Sequence, residues 1–163
     1  MWSFEWSNNG NSIAAALSPL NLVDHNYMFQ KIQILDVATK KLRRLVDNPG
    51  KLGNFAWSPD DRLIAYNAAF DQKDHAASQV LVADVGTAEV RNLTEPKFRG
   101  HVDWVGWQDQ TSVLYRATEG VWPTLSAVLA KGGARKIILH AKDSGIIFLD
   151  SRIRLFGNQP QSS

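Results

Sequence analysis

The 163-residue chain contains no cysteine. That removes disulfides, thiol catalysis and cysteine-based metal sites, and leaves the compartment open, because exported proteins without cysteine are common. A strong charge of either sign is also lacking. Eighteen Lys and Arg against sixteen Asp and Glu leave a formal charge of +2, without the clustered basic footprint of a nucleic-acid binder, so no nucleic-acid partner is expected. No apolar run reaches the length of a membrane span, and membrane insertion is not expected. The first residues read as a strand rather than as a cationic, apolar leader, so export is not signalled and localisation stays unassigned. No segment holds an apolar period of 3.6 over ten or more residues, which argues against long helices. Catalytic signatures are missing as well. There is no Gly-x-Ser-x-Gly nucleophile elbow, and Gly50-Lys51-Leu52-Gly53 lacks the strand-to-helix context of a phosphate-binding loop. Neither an enzymatic reaction nor a cofactor is expected of these residues.

What the chain does have is a phrase that recurs about every fifty residues: Phe4-Glu5-Trp6-Ser7, Phe55-Ala56-Trp57-Ser58 and Trp104-Val105-Gly106-Trp107-Gln108. From Trp6 to Trp57 is 51 positions and from Trp57 to Trp107 is 50. Such a period belongs to an array of like units, each burying its apolar face on a neighbour. Every unit repeats one order of signals, readable as strands a to d. Strand a is 2–7, 53–58 and 102–108, with aromatics alternating as on a half-buried ribbon. Polar turns follow at Ser7-Asn8-Asn9-Gly10, Ser58-Pro59-Asp60-Asp61 and Gln108-Asp109-Gln110-Thr111. Strand b is 12–17, 63–66 and 113–116, and strand c, after a loop of variable length, is 31–37, 79–85 and 125–129. Turns at 38–41, 86–89 and 131–134 lead to strand d at 42–46, 90–93 and 136–139. The consistent fold is all-β, with four-stranded antiparallel meanders as the unit.

The second unit, Phe55-Ala56-Trp57-Ser58-Pro59-Asp60-Asp61-Arg62-Leu63-Ile64-Ala65-Tyr66 followed by Val80-Leu81-Val82-Ala83-Asp84-Val85 and Val90-Arg91-Asn92-Leu93-Thr94, resembles the β-propeller blade of TolB-type proteins and of prolyl oligopeptidase and dipeptidyl peptidase propellers. Those blades carry a Trp-Ser-Pro-Asp-Gly turn and end in Leu-Thr; Asp61 stands where their glycine would be. The resemblance implies a single β-propeller domain over 1–157, with blades at 2–47, 53–95 and 102–140, a partial fourth at 145–157 and a polar tail at 158–163. Such an arc is either part of a longer propeller or closes into a ring by homodimerisation. The resemblance implies a non-enzymatic binding scaffold for a protein, peptide or small ligand. The alternative it implies is an accessory, substrate-gating propeller of a prolyl oligopeptidase-type peptidase whose catalytic domain lies outside this chain.

Binding chemistry belongs where the b–c and d–a loops gather. That face collects Asp24, His25, Asp71, Asp74, His75, Arg99, His101 and Trp122, together with Lys51. The pairs Asp24-His25 and Asp74-His75 recur at nearly the same offset from their Trp residues. The set suggests a polar pocket with an aromatic wall for a peptide or small anionic ligand. No metal site is assigned, although His25, His75 and a carboxylate are ordinary zinc ligand types. Tyr27, Met28 and Phe29 are apolar for a solvent loop and read as packing over the blade edge, as an extension of strand c or as a partner contact.

Overall fold

A computed structural model describes residues 3–144. The alternating apolar segments form three four-stranded antiparallel meanders. The first contains β1 (Phe4–Trp6), β2 (Ser12–Leu17), β3 (Lys31–Asp36) and β4 (Leu42–Arg44), with α1 (Val23–Met28) between β2 and β3. The second contains β5 (Leu52–Trp57), β6 (Leu63–Ala69), β7 (Ser78–Asp84) and β8 (Val90–Asn92). The third contains β9 (Gly100–Trp107), β10 (Ser112–Glu119), β11 (Trp122–Leu129) and β12 (Lys136–His140), and runs into α2 (Ala141–Ser144). Among the described residues no helix is long and apolar enough to cross a membrane. The hairpin expected at 145–157 and the tail at 158–163 lie outside the described residues.

Strand periodicity decides which side chains seal which blade junction. Ile64, Tyr66 and Ala68 alternate along β6 toward the first blade, where they join Phe55, Trp57, Ala14, Ala16, Ile32 and Ile34 in one core. Ala65 points the other way and, with Val80 and Val82, meets Val102, Val105, Val113 and Tyr115 of the third blade. The tryptophans of strand a add a directional bond at each junction. Trp57 Nε1 donates to the Glu5 carbonyl at 3.1 Å, and Trp107 Nε1 donates to the Ala56 carbonyl at 3.0 Å. Trp6, the counterpart of Trp57 one repeat earlier, is 53% exposed against 8% for Trp57. No blade among the described residues stands against its face.

The turns explain two sequence signals. Asp36 and Asp84, which close strand c in the first two blades, use their carboxylates to hold the following turn. Asp36 Oδ1 accepts from the Thr39 N–H and hydroxyl at 2.7 Å, and Asp84 Oδ1 accepts from the Gly86 and Thr87 N–H groups at 2.9 Å. These donors hold both carboxyls below the usual range. Asp61, in the place of a turn glycine, takes a left-handed φ of 59°. Its carboxylate reaches the first blade and accepts from the Asn8 N–H, the Asn8 side-chain amide and the Asn9 N–H at 2.7, 2.7 and 2.8 Å. A glycine would relieve the backbone but would remove this latch.

Candidate functional site

In an up-and-down blade the b–c and d–a connections share one side. There Tyr27, Lys51, Asp74, His75, His101 and Arg116 line a cavity of about 550 Å³, with Asn67, Ser78 and Asp103 also on its wall. Gly50 brings Lys51 in. A Cβ on Gly50 would stand 1.9 Å from the Asp71 carbonyl oxygen and 2.8 Å from the Ala69 Cβ, so the d–a connection is pressed onto the start of the loop that carries Asp74. Gly50→Ala is therefore expected to lower stability by about 1–3 kcal/mol, because the obstacle is backbone; a thermal melt unchanged from the parent would contradict this close approach.

Lys51 is committed within the site. Its Nζ donates to Asp74 Oδ1 at 2.5 Å, to the Asp74 carbonyl at 2.6 Å and to the Tyr27 hydroxyl at 2.8 Å, and lies 4.1 Å from the Tyr27 ring centroid. The bond to Asp74, then that to Tyr27, holds the ammonium above the ordinary lysine range, and the Lys51 bond holds the Asp74 carboxyl below its own. On the opposite wall His101 Nδ1 accepts the Ser78 N–H at 3.2 Å, which leaves Nε2 to carry the proton, 3.9 Å from Asp103 Oδ1. Asp103 Oδ2 accepts the Thr118 hydroxyl at 2.9 Å and lies 3.8 Å from Arg116 Nε. Lys51 is thus set against Asp74, and Arg116 against Asp103.

Of the residues picked from sequence, Asp74, His75 and His101 meet in this cavity. Arg99 lines an adjoining hollow of about 590 Å³ with Phe70, His75, Phe98 and His101. Asp71 stays in its own loop, accepting the Lys73 N–H at 2.8 Å. Asp24 and His25 fall on α1 and do not line the cavity, so the second Asp-His pair reaches it and the first does not. The His25 ring lies 5.0 Å from that of Phe29, and its buried Nδ1 has no hydrogen-bond partner. Trp122 is not a loop residue. Gly120 takes a φ of 65° and a tight turn pairs Glu119 with Trp122, which places the indole on β11 away from the cavity. Among the described residues no group of three or more His, Cys, Asp or Glu side chains is placed to hold a metal, so His25, His75 and a carboxylate form no zinc site there. Asn67, Ser78, Asp103, Arg116 and Thr118 were not singled out by sequence, because they lie within strands.

No protein-family model matches the sequence, and curated proteins give no significant sequence match. Solved structures do match. TolB from Acinetobacter baumannii superposes with a TM-score of 0.60 at 17% identity over 83% of this chain and 31% of that one. The β-propeller domain of the Trilobed protease from Pyrococcus furiosus gives 0.57 at 21% identity over 80% of this chain and 39% of that one. Porphyromonas gingivalis dipeptidyl peptidase 4 gives 0.66 at 10% identity over 85% and 25%. The fold is a TolB-like β-propeller. The chain spans less than half the length of each of these propeller proteins, and at these identities the likeness is one of fold.

The propeller's second and third blades are also tied by an arginine beside the site. Arg135 donates from Nη1 and Nη2 to the two oxygens of Glu119 at 2.6 and 2.8 Å, its Nε lies 3.3 Å from Glu95 Oε2, and its guanidinium lies 5.3 Å from the Phe98 ring centroid. The fork from Arg135 holds the Glu119 carboxyl below the usual glutamate range. A carboxyl depressed by folding stabilises above its unfolded pKa, near 4.3, and loses that contribution as pH falls through the lower folded value. The melting-temperature gap between the parent and Glu119→Gln is therefore expected to stay level from neutral pH to about pH 5 and to narrow below about pH 4. A gap that widens on acidification would contradict the pairing.

Proposed function

We propose that this propeller is a non-enzymatic binding scaffold whose loop-rich face takes an extended peptide or a peptide-like segment of a protein. The observation that carries the reading is the convergence of all three blades on one cavity: Tyr27 from the first, Lys51, Asp74 and His75 from the second, and His101, Asp103 and Arg116 from the third. Its internally matched charges suit a ligand with alternating donors and acceptors and little net charge, which describes a peptide backbone.

Panning the purified chain against a random linear dodecapeptide library tests this. Enriched peptides are expected to bind the parent and to lose about tenfold or more in affinity against the His101→Ala/Asp103→Ala variant, circular dichroism confirming its fold. No enrichment over a blank surface, or equal binding by parent and variant, would overturn the assignment.

A further inference from the structure

We propose that the hollow at the second blade junction, bordered by Phe70, Phe98 and Arg99, is a subsite for a peptide carboxylate that stands next to an apolar side chain. It rests on the peptide reading above and adds the chemistry of one part of that peptide. The repeat explains why the hollow is there. Gly50-Lys51 and Gly100-His101 fall 50 positions apart, as Trp57 and Trp107 do, and occupy equivalent d–a connections. At the first junction Lys51 is clasped from two sides, by Tyr27 of the 18–30 connection and by Asp74 of the 70–77 connection. At the second junction the 70–77 connection supplies Phe70 and His75, but the third blade contributes only the tight turn between Glu119 and Trp122. The His101 side chain is accordingly 51% exposed, against 19% for that of Lys51. The space that a longer turn would fill is the hollow of about 590 Å³.

The lining is partly pre-ordered, and its charge is of one sign. A Cβ on Gly100 would stand 2.7 Å from both the Phe98 Cζ and the Thr118 carbonyl oxygen, so the Phe98 ring folds over a bare glycine. The Arg135 guanidinium, 5.3 Å from the ring centroid, holds it from another side. Phe98 is thus offered to a ligand already in place, which lowers the ordering cost of binding. Phe70 shares the lining and is 53% exposed. Arg99 is exposed there as well. Lys51 faces Asp74, Arg116 faces Asp103 and Arg135 spans Glu119 and Glu95. Arg99 has no carboxylate partner among the described residues, and none of their carboxylates lines its hollow. The other polar side chains of the lining are His75, His101 and Thr118, which bring no negative charge. A guanidinium set among phenyl rings complements a carboxylate carried on, or next to, a residue with an apolar side chain. His75 and His101 also line the main cavity, so the two sites share a wall and one extended chain can occupy both.

Nuclear magnetic resonance titration of the full chain tests the subsite with three defined probes. N-acetyl-phenylalanine carries a terminal carboxylate, N-acetyl-glutamyl-phenylalaninamide a side-chain carboxylate, and N-acetyl-glutaminyl-phenylalaninamide neither. At least one acid is expected to shift the Phe98, Gly100 and Thr118 amide signals with an affinity about tenfold or more above that of the uncharged probe. The stronger of the two acids names the source of the carboxylate. Arg99→Gln is expected to bring the acids down to the level of the uncharged probe, and Phe70→Ser to weaken all three. Acids that bind no better than the uncharged probe overturn the proposal, as do a preference that survives Arg99→Gln and binding indifferent to Phe70→Ser. The peptide library separates this subsite from the reading it rests on. Enriched peptides lost with His101→Ala/Asp103→Ala, with no acid shifting the hollow's signals, strike the subsite alone. Acids bound at the hollow with no library enrichment strike the extended-peptide reading and uphold the carboxylate subsite.

Discussion

Trp57→Ala is expected to lower stability by about 3–5 kcal/mol, the range for truncating a large buried aromatic. The indole fills the first junction among Phe55, Ile64, Ala14 and Ile34, and its N–H also ties the second blade to the backbone of the first. The change opens a cavity between two sheets that share no strand pairing, so neighbouring backbone has little means to close it. For a domain of this size the loss corresponds to a fall of roughly 10 °C in melting temperature. Trp6→Ala, at the equivalent position on the open face, is expected to change the melting temperature of the monomeric chain far less. Differential scanning calorimetry of both variants at low protein concentration checks the pair, and equal effects would contradict the junction assignment.

Arg135→Ala is expected to lower stability by about 2–3 kcal/mol, the scale of hydrogen bonds to charged groups. Its side chain is 14% exposed and serves two carboxylates, Glu119 and Glu95, while its backbone N–H donates to Glu95 Oε1 at 3.1 Å. Removing the guanidinium leaves Glu119 with the Thr124 hydroxyl, at 2.9 Å, and frees the 95–98 connection that the Nε–Glu95 pair and the Phe98 contact hold down. Arg135→Lys should recover only part of the loss, since an ammonium cannot reproduce the two-pronged bond to Glu119. Urea titrations of parent, Ala and Lys variants check the order, and a Lys variant as stable as the parent would contradict the role given to the fork.

Strands b and c were legible in the sequence because each is a short apolar run bounded by turn residues; β2 runs over the expected 12–17. Strand a was less so at its loop ends. The register slips between Arg116 and Ala117, so that Asp103 opposes no residue of β10 and its carboxylate turns to Thr118 and Arg116. A similar slip between Leu52 and Phe55 frees Asn54 to bond Val105. Alternation alone gives such residues no special place, and half of the cavity wall stayed hidden for that reason. Lys51, Asp74, His75 and His101 were legible because loop convergence follows from blade topology. Trp122 was misplaced because Gly120 and Pro123 read as loop formers, whereas one left-handed glycine closes the hairpin and Pro123 pairs with Thr118 inside the ladder. The helix at Val23–Met28 was missed because six residues are too few to show a period.

The second blade is flanked on both sides, and six of the seven residues of β6 are buried. The second blade packs on both the first and the third, and opens only by losing both contacts. The amide hydrogens of β6 are therefore expected to exchange with solvent deuterium more slowly than those of the exposed strands β1 and β4. The order of exchange is written in how many sheets cover each strand rather than in the number of hydrogen bonds it makes.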